Sequence, residues 1–97
     1  MKNQAVRDSF KNRLCCIGIN CVGVTTPAHI GSYGASRIDA EWNMMPLCVG
    51  HHNEQGKIGI LTFIKKYPRV KSYIEGKGWT FNFLGKLISP IRYDSIR

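Results

Sequence analysis

The chain has 97 residues with a hydrophobic content of 43%, enough for one small folded domain and too much for a wholly disordered chain. It contains no apolar run near the ~20 residues of a membrane span and no apolar signal-peptide segment, so we expect a cytoplasmic protein. Fourteen Lys and Arg against six Asp and Glu give a net charge of +8, which favours a polyanionic partner, nucleic acid first.

The first part of the chain predicts a basic arm, a cysteine-bearing segment and a short strand. Residues 1–13 are polar and basic and form the arm, with a short helix over residues 4–11. Residues 14–24 carry three cysteines among glycines that allow tight turns, a composition typical of a metal-binding knuckle. Residues 25–30 predict a strand that delivers His29. A single domain is expected to run from residue 14 to residue 88.

The second part predicts helices and a small hairpin. A glycine-containing loop at residues 31–36 and an irregular segment at residues 38–47 come before a helix that starts near Gly50. Apolar residues at helical spacing predict the next helix, and a proline begins another. The positions concerned are Ile60, Phe63, Ile64, Tyr67 and Pro68. Aromatic and polar residues alternate over residues 79–83, which indicates a strand. Gly85 is expected to turn the chain so that residues 86–88 form the second strand of a hairpin. Residues 89–97 are expected to form a tail.

The cysteines predict a structural zinc site. Tetrahedral zinc takes four nitrogen or sulfur ligands, usually as two close pairs, and Cys48 with His51 forms one pair. Cys21 belongs to the other pair, together with either Cys15 or Cys16. We prefer Cys16, because four residues that include a glycine then separate the two thiols and allow the chain to fold back. Clustered cysteines in a cytoplasmic protein are metal ligands more often than disulfides.

The two knuckles and the three histidines resemble the His-Asn-His (HNH) family of ββα-metal nucleases over about residues 14–59. Residues 43–53 are similar to the family pattern Asn-Leu-x-x-Leu-Cys-x-x-Cys-His-x. The resemblance makes His29 the general base, Asn43 the residue that orients its strand, and His52 the ligand of a catalytic divalent ion. It implies an α+β fold with a ββα-metal core stapled by zinc, followed by helices and a small C-terminal hairpin.

This chain departs from the family pattern at positions that matter for metal binding. His51 stands where the family usually has a cysteine. Ala28 replaces an Asp or His that commonly precedes the base, and Gly56 stands where several relatives have a further histidine. Asp39 or Glu41 is a candidate for supplying a carboxylate instead, since Mg²⁺ prefers oxygen ligands.

The resemblance implies a metal-dependent endonuclease or nicking enzyme, with DNA as the expected substrate and Mg²⁺ or another divalent ion as cofactor. Such small proteins are often encoded by bacteriophages, which would place this one in a bacterial host cell. Five basic residues are expected to contact nucleic acid: Lys57, Lys65, Lys66, Arg69 and Lys71. The alternative is a non-catalytic zinc module that binds nucleic acid or a protein, and the missing ligands at Ala28 and Gly56 support it.

Overall fold

The computed structural model describes residues 3–31 and 38–90. Within these residues the fold is α+β, with four α-helices and two small antiparallel sheets. The helices are α1 (Gln4–Phe10), α2 (Val49–Ile58), α3 (Ile60–Lys66) and α4 (Pro68–Gly76). The strands are β1 (Thr25–His29), β2 (Met44–Cys48), β3 (Thr80–Phe81) and β4 (Leu87–Ile88), and a 3-10 turn covers Glu41–Asn43. None of the described helices is long enough and apolar enough to cross a lipid bilayer.

The central unit consists of two antiparallel strands followed directly by a helix. In the β1–β2 register Thr25 lies opposite Cys48, and His29 lies opposite Met44. Pro27 faces Pro46, an arrangement that a two-stranded ribbon tolerates because each strand keeps one edge outside the ladder. The next helix, α2, begins at the residue after β2 ends. His29 is therefore at one end of the ribbon, while the start of α2 is at the other.

Local signals explain where the helices begin and end. The side chain of Asn3 accepts a hydrogen bond from the N–H of Val6 at 3.2 Å and caps α1. Gly59, with φ of +82°, ends α2. Pro68 is the first residue of α4, where its missing N–H costs nothing. The predicted helices near the N-terminus, after Gly50, from Ile60 and from Pro68 are confirmed.

The core lies between the β1–β2 ribbon and the two helices that follow α2. One buried cluster joins residues from the cysteine segment, both strands, α3, α4 and the start of the hairpin: Ile17, Ala28, Ile30, Met45, Leu47, Phe63, Ile64, Val70, Ile74 and Trp79. Phe10 is also fully buried, so α1 packs onto the domain through this side chain. All five residues of β2 are buried, and this strand was not among the elements predicted from residue patterns.

The C-terminal hairpin is shorter than the alternating pattern predicts. Only Thr80–Phe81 and Leu87–Ile88 pair as strands, because the turn begins already at Asn82. Gly85 has φ of +82° and supplies the predicted turn. Most of the predicted loop at residues 31–36 and most of the predicted tail at residues 89–97 lie outside the described residues.

Candidate metal centre and adjacent cleft

Three thiols and one imidazole converge where the cysteine segment meets the start of α2. One ligand atom from each of Cys15, Cys21, Cys48 and His51 lies within 4.8 Å of the other three. The distances from His51 Nδ1 to the three sulfurs are 3.1 Å for Cys48, 3.6 Å for Cys15 and 4.0 Å for Cys21. A sulfur and a nitrogen that share a tetrahedral zinc lie about 3.6 Å apart. This group could therefore hold a metal ion such as zinc.

Cys48 occupies the N-cap position of α2, and its surroundings favour the thiolate. Its Sγ accepts hydrogen bonds from the N–H of Val22 at 3.3 Å and from the N–H of His51 at 3.4 Å. Burial opposes ionisation, but hydrogen bonds, led by these two N–H donors, outweigh it and hold the pKa of Cys48 below its ordinary value. A helix N-terminus also favours a negative charge. The thiolate is the form that binds a metal.

The structure places Cys15, and not the predicted Cys16, in this cluster. The backbone N–H of Cys16 donates to the carbonyl of Pro46 at 2.9 Å, which ties this residue alongside β2. The Cys16 side chain lines a separate groove with Pro68 and Tyr73. Burial, followed by the neighbouring Cys15, raises the pKa of Cys16 to about 12, so its sulfur stays a neutral thiol. The candidate ligand group therefore contains Cys15, the alternative considered from the sequence, together with Cys21, Cys48 and His51.

Two glycines allow the cysteine segment to pack closely against the first turn of α2. A Cβ at Gly50 would lie 3.1 Å from the Cβ of Val22, and a Cβ at Gly23 would lie 3.1 Å from the Cβ of Val49. The N–H groups of Val49 and Gly50 donate to the carbonyls of Val24 and Val22, each at 3.0 Å. These backbone contacts bring the two halves of the cluster together.

The other two histidines line one open cleft of about 740 Å³. His29 comes from the end of β1, and His52 comes from the first turn of α2. The C-terminal hairpin supplies a further wall, which includes Lys86. The cleft therefore brings His29, His52 and Lys86 together around a space that is open to solvent.

His29 is paired with a buried carboxylate. Its Nε2 lies 2.6 Å from Oδ1 of Asp39, whose side chain is only 2% exposed. The other oxygen of Asp39 accepts from the N–H of Asn3 at 2.8 Å and lies 3.0 Å from Nε of Arg7. Burial opposes ionisation, but these three partners outweigh it and lower the pKa of Asp39. An ionised carboxylate only accepts, so Nε2 carries the proton of neutral His29 and Nδ1 is its basic nitrogen.

The pairing of Asp39 leads to a prediction about stability. We expect Asp39→Asn to lower the free energy of unfolding near neutral pH by about 1–3 kcal/mol, because a buried charged acceptor is lost. The folded state lowers this pKa, so the contribution is complete above the unfolded-state pKa. It disappears as pH falls through the lower folded-state pKa. Urea denaturation of both proteins should therefore give stabilities that converge in acid.

The wild type and Asp39→Asn carry the same four cluster residues, so acid affects the cluster equally in both. This effect therefore cancels in the difference between their stabilities. A stability difference that stayed constant down to strongly acidic pH would contradict a charged Asp39 as its source.

His52 is oriented through its second ring nitrogen. The hydroxyl of Thr26 donates to the carbonyl of Leu47 at 3.0 Å, and the same oxygen lies 2.9 Å from Nδ1 of His52. Because the single hydroxyl proton is used on Leu47, Nδ1 of His52 must be the donor in this contact. The lone pair of the neutral ring is then on Nε2. A histidine whose Nδ1–H is held by a hydrogen bond is well suited to bind a metal through Nε2.

Asn43 holds together the two ends of the segment between the strands. Its Oδ1 accepts from the N–H of Gly31 at 2.8 Å, and its Nδ2 donates to the carbonyls of Gly31 at 3.0 Å and Ile38 at 2.8 Å. Asn43 is fully buried. From the helix side, Gln55 donates to the carbonyl of His29 at 3.0 Å. The backbone around His29 is therefore fixed from two sides.

Comparison of the chain with protein-family models, with curated proteins and with solved structures finds no match. The described residues form two sites, a compact sulfur-rich cluster and an open cleft with two histidines, joined by the adjacent residues His51 and His52.

The predicted departures from the family pattern have distinct structural settings. Ala28 is fully buried in the core, opposite Met45. Gly56 lines the cleft, and a Cβ there would meet nothing within 4 Å. Asp39 is the partner of His29, whereas Glu41 is exposed and ion-paired elsewhere, with Arg13 and Lys77. Of the two carboxylates considered, only Asp39 thus lies next to a cleft residue.

Three residues that line the cleft or orient one of its histidines were not predicted from residue patterns: Thr26, Gln55 and Lys86. Thr26 and Gln55 act through hydrogen bonds to His52 and His29, and Lys86 reaches the cleft from the hairpin. Gln55 comes three residues after His52, so the two side chains are neighbours on the surface of α2. This spacing is the one feature of the sequence that could have indicated Gln55. Nothing in the local sequence marks Thr26 or Lys86.

The five basic residues expected to contact nucleic acid are all exposed. Lys66 is ion-paired with Glu54, Arg69 donates to the carbonyl of Ile17 at 3.0 Å, and Lys71 lies over the ring of Phe81. Lys57 and Lys65 have no recorded ion pair within the described part of the chain.

Proposed function

We propose that the protein is a metal-dependent nuclease that hydrolyses phosphodiester bonds of nucleic acid, with DNA as the expected substrate. The main support for this proposal is that His29 and His52 line the same cleft and that His29 is paired with a buried carboxylate. A positioned imidazole that can accept a proton, beside one that can bind a cation, is the pairing that this hydrolysis needs. The order strand, strand, helix, with Asn43 between the strands, agrees with the HNH resemblance.

In the proposed reaction, the oxygen of a water molecule forms a bond to phosphorus, and the bond from phosphorus to a sugar oxygen breaks. The water proton passes to Nδ1 of His29, while the Nε2–H stays bonded to Asp39. The buried carboxylate balances the positive charge that develops on the ring. The leaving oxygen takes a proton from solvent. Asn43 and Gln55 keep His29 in place during this transfer.

A divalent cation, when bound, neutralises charge on the phosphate and on the leaving oxygen. His52 is the residue that would hold it, through Nε2, because Thr26 orients the ring. Ala28 and Gly56 offer no ligand, so phosphate and water oxygens would have to supply the remaining ligands. This donor set fits a weakly held cation whose binding depends on the substrate.

A plasmid-nicking assay tests the proposal directly. Zinc-loaded protein is incubated with supercoiled plasmid in Mg²⁺, Mn²⁺ or Ni²⁺, without added cation, and with EDTA. We expect cation-dependent nicking or linearisation. His29→Ala protein purified in parallel controls for contaminating nucleases. If double-stranded DNA, single-stranded DNA and RNA all stay intact with every ion, the nuclease proposal is wrong.

The basic residues give a separate prediction about binding. The logarithm of affinity for duplex DNA should fall with the logarithm of salt concentration, with a slope of about −0.9 for each phosphate contact. Lys57→Gln and Lys65→Gln should each make this slope shallower by about 0.9. Lys66→Gln is the matched control with a smaller expected effect, because Glu54 already neutralises Lys66. Salt titration by fluorescence anisotropy measures all three, and an affinity independent of salt would contradict the prediction.

The second candidate function is a non-catalytic zinc module that binds nucleic acid or a protein. The buried Ala28 and the missing side chain at Gly56 favour it, since both leave the cleft with fewer metal ligands. Binding of nucleic acid by zinc-loaded protein without cleavage under any of the nicking conditions would select this function.

A further inference from the structure

The C-terminal hairpin holds two large apolar side chains out in solvent. Phe83 is 96% exposed and Leu84 is 68% exposed. The turn that carries them is ordered, since Oδ1 of Asn82 accepts from the N–H groups of Leu84 and Lys86, each at 2.9 Å. Gly85 closes the turn by donating to the carbonyl of Asn82 at 2.9 Å. The backbone thus presents Phe83 to solvent in a defined conformation.

The base of the same hairpin is anchored beside the cleft. Nε1 of Trp79 donates to the carbonyl of Trp42 at 2.6 Å, and a Cβ at Gly31 would lie 2.8 Å from the Trp79 ring. Lys86 lines the cleft that contains His29. The hairpin is therefore fixed to the segment that follows β1, and its amine and its exposed ring belong to one short turn.

The charge of this region favours a polyanion. Residues 79–90, which include the hairpin, contain one lysine, Lys86, and no Asp or Glu. An exposed aromatic ring beside a cation is the pairing with which proteins bind single-stranded nucleic acid, where the ring stacks on a base and the cation contacts the phosphate. Duplex DNA offers its phosphates to such a surface but keeps its bases stacked inside.

We propose that the β3–β4 hairpin binds an unpaired nucleotide next to the cleft, with Phe83 stacked on the base and Lys86 on the adjacent phosphate. The identity of the occupant rests on the function proposed above. The hairpin then narrows the substrate class to nucleic acid with unpaired bases near the cleaved phosphate: single strands, flaps and gapped duplexes.

Fluorescence anisotropy without a catalytic cation tests this proposal, using zinc-loaded protein with a single-stranded and a blunt duplex oligonucleotide. We expect Phe83→Ala to weaken single-strand binding by about 5-fold or more and to change duplex binding little. Lys86→Ala should make the salt slope on the single strand shallower by about 0.7. Leu14→Ala is the matched control, since Leu14 is 89% exposed and lines a different groove.

The outcomes distinguish the hairpin proposal from the nuclease proposal. Phe83-dependent binding of single strands supports the hairpin proposal even if no nucleic acid is cleaved, in which case only the nuclease proposal fails. Cleavage by the wild-type protein with equal single-strand affinity for wild type and Phe83→Ala overturns the hairpin proposal alone. A wild-type protein that binds neither oligonucleotide also overturns it. Unchanged melting temperatures confirm that the exposed substitutions leave the fold intact.

Discussion

We expect the Cys15, Cys21, Cys48 and His51 cluster to hold zinc, and removal of that zinc should unfold the domain. The cluster joins the cysteine segment to the start of α2, and several large apolar residues of that segment are exposed: Leu14, Ile19, Val22 and Val24. Burial of Ile17 is the main apolar contact that this segment makes with the core. A structural zinc contributes about 10 kcal/mol or more of apparent binding energy, whereas the core of so small a domain supplies a few kcal/mol.

Elemental analysis should find one zinc per chain. A chelator titration followed by circular dichroism should show helix signal lost together with zinc and restored when zinc is added back. Folded protein that contains no zinc would contradict the expected structural zinc site.

Adjacent cysteines provide a matched pair of variants for the same experiment. Cys15→Ser should lose stoichiometric zinc and lower the melting temperature strongly, because it removes a ligand from the cluster. Cys16→Ser changes the same atom at the neighbouring position, in the groove beside Pro68, and should keep its zinc. The reverse pattern would restore Cys16 as the ligand and remove Cys15.

Under the proposed nuclease function, replacing His29 should abolish most cleavage while leaving the fold and the candidate zinc site intact. A positioned general base contributes about 10²-fold or more to the rate, so His29→Ala should lower the nicking rate by at least that factor. Asp39 keeps Asn3 and Arg7 as partners in this variant, so no buried charge is left uncompensated. His29→Gln is the conservative companion, since its amide can still donate to Asp39 but cannot act as a base.

His52 and Asn43 should respond differently from His29. His52→Ala should lose cleavage through loss of the cation, so a higher Mn²⁺ concentration should restore part of the rate. Asn43→Ala removes three hydrogen bonds that this buried side chain makes to Gly31 and Ile38, so it should destabilise the protein as well as slow cleavage.

Rates measured with thermal unfolding and zinc content on the same samples distinguish these cases. If His29→Ala or His29→Gln cleaves at the wild-type rate, His29 is not the base. If either variant loses zinc or unfolds at the assay temperature, its role is structural.

Short-range patterns were enough to predict part of this protein. The three-residue separation of Cys48 and His51 places both at the start of a helix, where an N-cap sulfur and the imidazole one turn later converge. Pro68 set the start of α4, and Gly85 set the turn of the hairpin. In each case the residues that decide the structure are close in sequence, so the signal is contained in spacing and in backbone preference.

Other features depended on contacts between distant residues. β2 is buried along its whole length, so its sequence lacks the alternation that marks a half-exposed strand. Cys15 and not Cys16 lies in the cluster, and the backbone of Cys16 is hydrogen-bonded to Pro46 in β2, a contact that no local spacing encodes. Asp39 was recognised as a nearby carboxylate, but its pairing with His29 required the fold of the intervening segment.

The sequence by itself therefore determined which chemical groups are present and which of them lie near one another along the chain. The tertiary structure decided which side chains share a site: Cys15 in the cluster, Asp39 behind His29, and Lys86 at the cleft. The physical reason is that the direction of a side chain depends on the backbone to which its segment is hydrogen-bonded, and in this protein those partners come from distant segments.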